Sequence, residues 1–173
     1  LIRLAYGLDF GSTPEVAAGL AYMTAAAISV PIDSRPVDLR QALESQAREP
    51  MVIEGAGFAG GLLQLLAMDR YPVGAADSLA ECATLALDVY RGTRNFFALH
   101  MVTATAAARI CLPFVDERLL VAALTGALLA AHRIVGSPGF DAATPLPVPS
   151  RIDQEHAYKY VYACLAEYRV YGD

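Results

Sequence analysis

Residues 95–112, NFFALHMVTATAAARICL, constrain the fold more than any other stretch. At helical spacing, Phe96, His100, Ala104, Ala107 and Cys111 share one stripe, while Thr105 and Arg109 lie on the other side. The first stripe reads as the face that meets the core, and it sets one imidazole among small side chains. A polar ring buried without a partner costs about 1–3 kcal/mol. His100 therefore needs a metal, a ligand or another side chain, and its small neighbours leave room for any of these. Pro113 breaks the helix.

The same 3.6-residue period runs through nearly every other long segment, and no hairpin signal appears. Residues 1–10 read as the end of a helix stopped near Gly11. Ser12, Pro14 and Glu15 then open a helix to about Ala27. Residues 30–36 form a Pro-rich linker. A helix over 37–48 follows, with Asp38 in its first turn and Leu39 and Leu43 four apart. Residues 50–61, PMVIEGAGFAGG, join a short β-like run to a Gly-rich one, ahead of helical 62–69. Asp77 caps a helix to about Tyr90, closed by Gly92, and Asn95 starts the stretch described above. Asp116 and Glu117 open the next helix, which runs through Arg133 to Gly136 and Pro138. The Pro-rich residues 139–150 form a long loop or lid. Asp153 caps the last helix, to about Val170. The class is all-α, with mostly antiparallel packed helices.

Composition narrows the functional classes. The 173 residues fit a single domain, 1–173, or half of a larger one. Hydrophobic residues make up 55%, and mean hydropathy is +0.39. The longest apolar run, 119–131, is shorter than the ~18–20 residues that span a bilayer, so the chain reads as soluble. A net charge of −5 with no basic cluster argues against nucleic acid. Cys82, Cys111 and Cys164 are odd in number and far apart, which fits a reduced, cytoplasmic setting. The opening LIRLAYGLDF lacks Met and any charged leader, and starts inside a periodic segment. It reads as the carboxy-terminal part of a longer chain, whose amino-terminal half would be a partner.

Few residues carry chemistry. Gly55, Gly57 and Gly60 satisfy G-x-G-x-x-G, but no second strand with an acidic end follows about 20 residues on, where Asp77 opens a helix. Close packing of small residues between helices explains these glycines better. His132 lies in the last turn of its helix, where a cationic imidazole near free carbonyls is ordinary. His156 and Lys159 share one side of the closing helix with Ala163 and Glu167. Tyr158, Val161, Tyr162, Leu165 and Tyr168 form the opposite, apolar stripe. Glu155 precedes Lys159 by four residues, the order that favours a surface ion pair. By periodicity the His156 side is a solvated polar face, or one covered by the amino-terminal half. Asp9 and Glu54 are isolated acids. No Ser/His/Asp set, CxxC pair or HExxH occurs.

Three stretches, FALHMVTATAAARICLPFVDERLLVAALTGALL, DQEHAYKYVYACLAEYRVYGD and LIRLAYGLDF, resemble the carboxy-terminal half of the questin oxidase-like family, in the same order. The Leu-His-x-Val-Thr element at 99–103 and the Glu-His-x-x-Lys element at 155–159 carry the likeness in combination. The resemblance implies an oxidoreductase that uses dioxygen on an aromatic polyketide-type or other polycyclic substrate, by a Baeyer–Villiger-like (monooxygenase) or dioxygenase ring opening. It also implies a non-haem iron, with His100 and His156 as ligands and Lys159 as a carboxylated, metal-binding and catalytic lysine. NADPH belongs to the same expectation. Imidazoles suit iron, and a lysine desolvated near a cation loses its proton readily and can then capture carbon dioxide. Family members often carry histidine where this chain has Arg3, and at least one further ligand would come from the amino-terminal half. The alternatives are a helical binding or scaffold protein without the metal, and a metal-dependent hydrolase, which lacks the further carboxylate and histidine spacing.

Overall fold

A computed structural model describes residues 1–27, 35–46, 74–140 and 154–172. Every regular element among them is helical, so the all-α reading stands. Residues 30–34 of the linker, the Gly-rich residues 50–61, the helix expected over 62–69, residues 141–150 of the Pro-rich loop and the Asp153 cap lie outside the described residues.

Helices α1 (Ile2–Asp9) and α2 (Thr13–Ala25) form a hairpin turned at Gly11, whose φ of +65° suits glycine. Two more glycines let the backbones meet. A Cβ on Gly7 would stand 2.6 Å from the Val16 nitrogen, and one on Gly19 would stand 2.7 Å from the Leu4 Cα. Ser12 holds the cap position of α2, but its hydroxyl makes no cap bond.

Helix α3 (Leu39–Glu44) starts where the Asp38 carboxylate accepts the Gln41 amide at 2.8 Å. It buries Leu39 and Leu43 completely. Helix α4 (Leu79–Thr93) is capped by Ser78 and not by Asp77: the Ser78 hydroxyl accepts the Glu81 amide, and the Glu81 carboxylate accepts the Asp77 amide. Gly92 sits inside the last turn, and Arg94 ends the helix in the left-handed region at φ 51°. A parallel bridge between Pro36 and Ala75 holds the approaches to α3 and α4 together.

Helix α5 (Phe96–Cys111) opens at Asn95, whose side chain accepts the Phe97 amide at 2.8 Å. It passes into a 3₁₀ turn (Leu112–Phe114) containing Pro113. Helix α6 (Glu117–Ile134) is capped by Asp116, and α7 (Gln154–Tyr171) closes the fold.

Helix α5 is the hub, packed against α1, α4, α6 and α7. The expectation of one buried stripe is corrected here. Thr105, placed on the outer side by spacing, is fully buried and donates to the Val102 carbonyl at 2.7 Å. Phe96, placed on the core stripe, is half exposed. A helix surrounded by four others is apolar almost all round. For the same reason Phe96–Phe114, rather than 119–131, is the one stretch among the described residues long and apolar enough by composition to cross a membrane, although more than half of it is buried among these helices.

The cysteines are unpaired, and burial pushes all three thiols up, Cys82 to about 12. They stay protonated and pack as small apolar groups. Thr125, also fully buried, donates to the Val121 carbonyl and accepts the Ala76 amide at 3.0 Å, tying α6 to the start of α4.

Candidate functional site

Asn95 sets the phase of α5, and this places Phe96 and His100 one turn apart at its amino-terminal end. Their rings meet edge to face with centroids 4.3 Å apart. His156, in the first turn of α7, lies on the same Phe96 ring at 4.9 Å. The two imidazole centroids stand 5.7 Å apart. Two half-buried residues 56 positions apart in the chain thus meet around one aromatic ring.

The geometry fixes more than proximity. His100 Nδ1 lies 2.8 Å from the Phe96 carbonyl. A carbonyl only accepts, so Nδ1 carries the proton, and in the uncharged ring Nε2 keeps its lone pair. That nitrogen is the one available to a metal, a hydroxyl or a bridging water. Two imidazoles on one ion, each about 2.1 Å from it and about 1.1 Å more to the ring centre, have centroids within roughly 6.5 Å. The observed spacing meets that limit.

His100 also lines an apolar cleft of about 470 Å³, open on one side, between α1, α2, α5 and α6. Met101, Leu124 and Leu128 form its floor, and Leu1, Arg3, Tyr22 and Phe96 stand around it. The Arg3 guanidinium is engaged with Glu15, Nε to Oε2 at 2.6 Å, on the exposed side of the α1–α2 hairpin. Nothing in the local sequence marks this cavity. Its walls come from four separate helices, and only Phe96 and Ala104, four residues either side of His100, belong to a pattern visible along the chain.

Lys159 does not join the pair. Its ammonium donates to Glu155 one turn back, as the i, i+4 spacing predicts. Its stem lines a different groove, with Tyr6, Phe10, Tyr158 and Tyr162. Among the described residues no three His, Cys, Asp or Glu side chains converge in a way that would hold an ion. The structure brings His100 and His156 together and leaves Lys159 on Glu155.

The polar face of α7 is not the solvated one. His156 turns toward α5, Ala163 is fully buried, and Glu167 meets Arg109 of α5 in a two-pronged ion pair. Arg109 also donates to the Tyr171 hydroxyl at 2.7 Å and lies over its ring. Burial pushes the Glu167 carboxyl above the usual range, with Arg109 working against it. The apolar stripe of Tyr158, Val161, Leu165 and Tyr168 faces outward instead.

His132 is a buried structural residue, as expected, but through different partners. Nδ1 lies 2.6 Å from the Gln46 side-chain oxygen, and Nε2 lies 3.0 Å from the Pro138 carbonyl. The ring stacks parallel on Phe140. Burial pulls its pKa below the ordinary imidazole value, with the Pro138 carbonyl opposite Nε2 working against it.

Comparison with protein-family models, curated proteins and solved structures gives no match to this chain.

Proposed function

We propose that this protein is an oxidoreductase that oxidises a small, flat aromatic molecule with dioxygen, in the cavity beside the His100–His156 pair. One observation carries the reading. Two imidazoles from distant helices lie 5.7 Å apart, and one of them also lines an apolar cavity of about 470 Å³. That volume falls in the range of small-molecule sites, about 300–1,000 Å³.

Each residue then has a task. Met101, Leu124 and Leu128 hold the ring system by apolar contact and keep water out. Phe96 covers both imidazoles and positions them. His100 presents Nε2, fixed in that role by the bond from Nδ1 to the Phe96 carbonyl. His100 and His156 would hold a non-haem iron, which when bound supplies dioxygen activation. Lys159, tied to Glu155, takes no part unless that ion pair opens.

The test uses full-length protein supplied with ferrous iron under anaerobic conditions. Bound iron and oxygen uptake with a polycyclic phenol are expected, both lost in His100→Ala and His156→Ala while the fold is retained. Protein that binds no iron and consumes no oxygen, with or without NADPH, sinks the proposal.

The Lys159–Glu155 bond and the incomplete ligand set favour a second reading, a helical binding protein without catalysis. Under that reading His100→Ala weakens binding of the aromatic molecule, and no metal enters.

A further inference from the structure

Helix α7 is apolar on two sides. Its inner side buries Tyr160 and Ala163 against the core. On its outer side Tyr158 is 73% exposed, Val161 50%, Leu165 51% and Tyr168 59%. A helix apolar on both sides needs cover on both.

The outer residues are spaced three, four and three apart. That is the alternation of a two-stranded coiled-coil seam, with period 3.5. The order of sizes also reads the same in both directions: a tyrosine, two aliphatic residues, a tyrosine. In a closed two-fold contact the same patch must fit itself. If one such helix is laid antiparallel on another, Val161 meets Leu165 of the second copy, and Tyr158 meets Tyr168, twice over. Each bulky ring then sits at an end of the seam, where its hydroxyl stays wet.

We propose that the outer face of α7 is a self-association surface, on which two copies of this chain pair their closing helices antiparallel about an axis between Val161 and Leu165. The groove beside the seam widens it. Phe10, 68% exposed, packs on Tyr162 with centroids 5.7 Å apart, and with Tyr6 it edges a trough of about 550 Å³ along α7. Together these side chains expose on the order of 600 Å², the low end of the ~600–1,000 Å² per partner that stable interfaces bury. Charge does not oppose the pairing, because Lys159, the cation lining the trough, is already matched by Glu155. This inference is independent of the proposed chemistry.

Sedimentation velocity on the chain at micromolar concentration is expected to give twice the monomer mass. Val161→Glu and Leu165→Glu, both at exposed positions, should each weaken association by about a hundredfold with unchanged far-ultraviolet dichroism. Oxidised Val161→Cys/Leu165→Cys protein should form 161–165 disulfides between copies, identified by peptide mass. A monomer at these concentrations overturns the proposal, whether or not it sediments with phosphatidylcholine–phosphatidylserine vesicles. So does a dimer indifferent to both glutamates, or cross-linking at 161–161 and 165–165, which means a parallel pair.

Discussion

His132 and the His100–His156 pair use the same side chain to opposite ends. His132 is enclosed, with an oxygen facing each ring nitrogen and a phenyl ring stacked on it. His100 has one nitrogen committed to its own helix and the other available, at the edge of an apolar cavity. A saturated imidazole holds a structure together, whereas one with an open nitrogen next to empty space is free to act on something else. Burial already separates the two, and the accounting of each nitrogen among the described residues says what the difference means.

The sharpest way to break this contrast is His132→Ala. Losing the ring strands the Gln46 and Pro138 oxygens and opens a void, so denaturant unfolding should show a loss of about 3 kcal/mol. His100→Ala, at the half-exposed site, should cost under about 1 kcal/mol in the same assay. Equal costs would mean that both rings are structural.

Acid should expose the difference next. Burial holds the folded pKa of His132 below the 6.5 of a free imidazole. Above that pH neither the folded nor the unfolded ring is charged, and its full contribution is present. As pH falls from 6.5 toward the folded value, the unfolded chain takes up the proton first, and stability declines by up to about 1.4 kcal/mol per pH unit. Unfolding free energies between pH 7.5 and 5.5 should therefore slope less in His132→Gln than in the wild type. Parallel slopes would show that the buried ring does not titrate as argued.

The smallest effect belongs to Lys159→Met. An exposed i, i+4 ion pair contributes little, so stability should change by no more than about 0.5 kcal/mol. The nitrogen chemical shifts of His100 and His156 should not move. A shift in either would bring the lysine back into contact with the pair.

The sequence was legible wherever the signal is local. Asn95 and Asp116 mark helix starts through bonds made within three residues, Pro113 marks an end by its missing N–H, and all three lie at helix ends. Asp77 misled only by one position, because Ser78 beside it makes the same kind of bond with better placement. The faces of α7 were harder. Periodicity separates its two sides but cannot say which one the core takes. The tyrosine-rich stripe is the more apolar, yet the side with Ala163, Cys164 and His156 goes inward. Small residues there allow close approach to α5, which the tyrosines would hold off. Complementarity of shape between two helices is not written in either one alone. The cavity is less legible still, since four helices share its walls.

The α1–α2 hairpin has a consequence for that cavity. Leu1, Ile2 and Arg3 reach it from one helix and Tyr22 from the other, so the bore of the chamber is set where the two backbones touch. At Gly7 and Gly19 that contact depends on a hydrogen atom standing where every other residue puts a carbon. Two absent methyl groups thus act as the gauge of the chamber's width, at a distance from most of the side chains that line it.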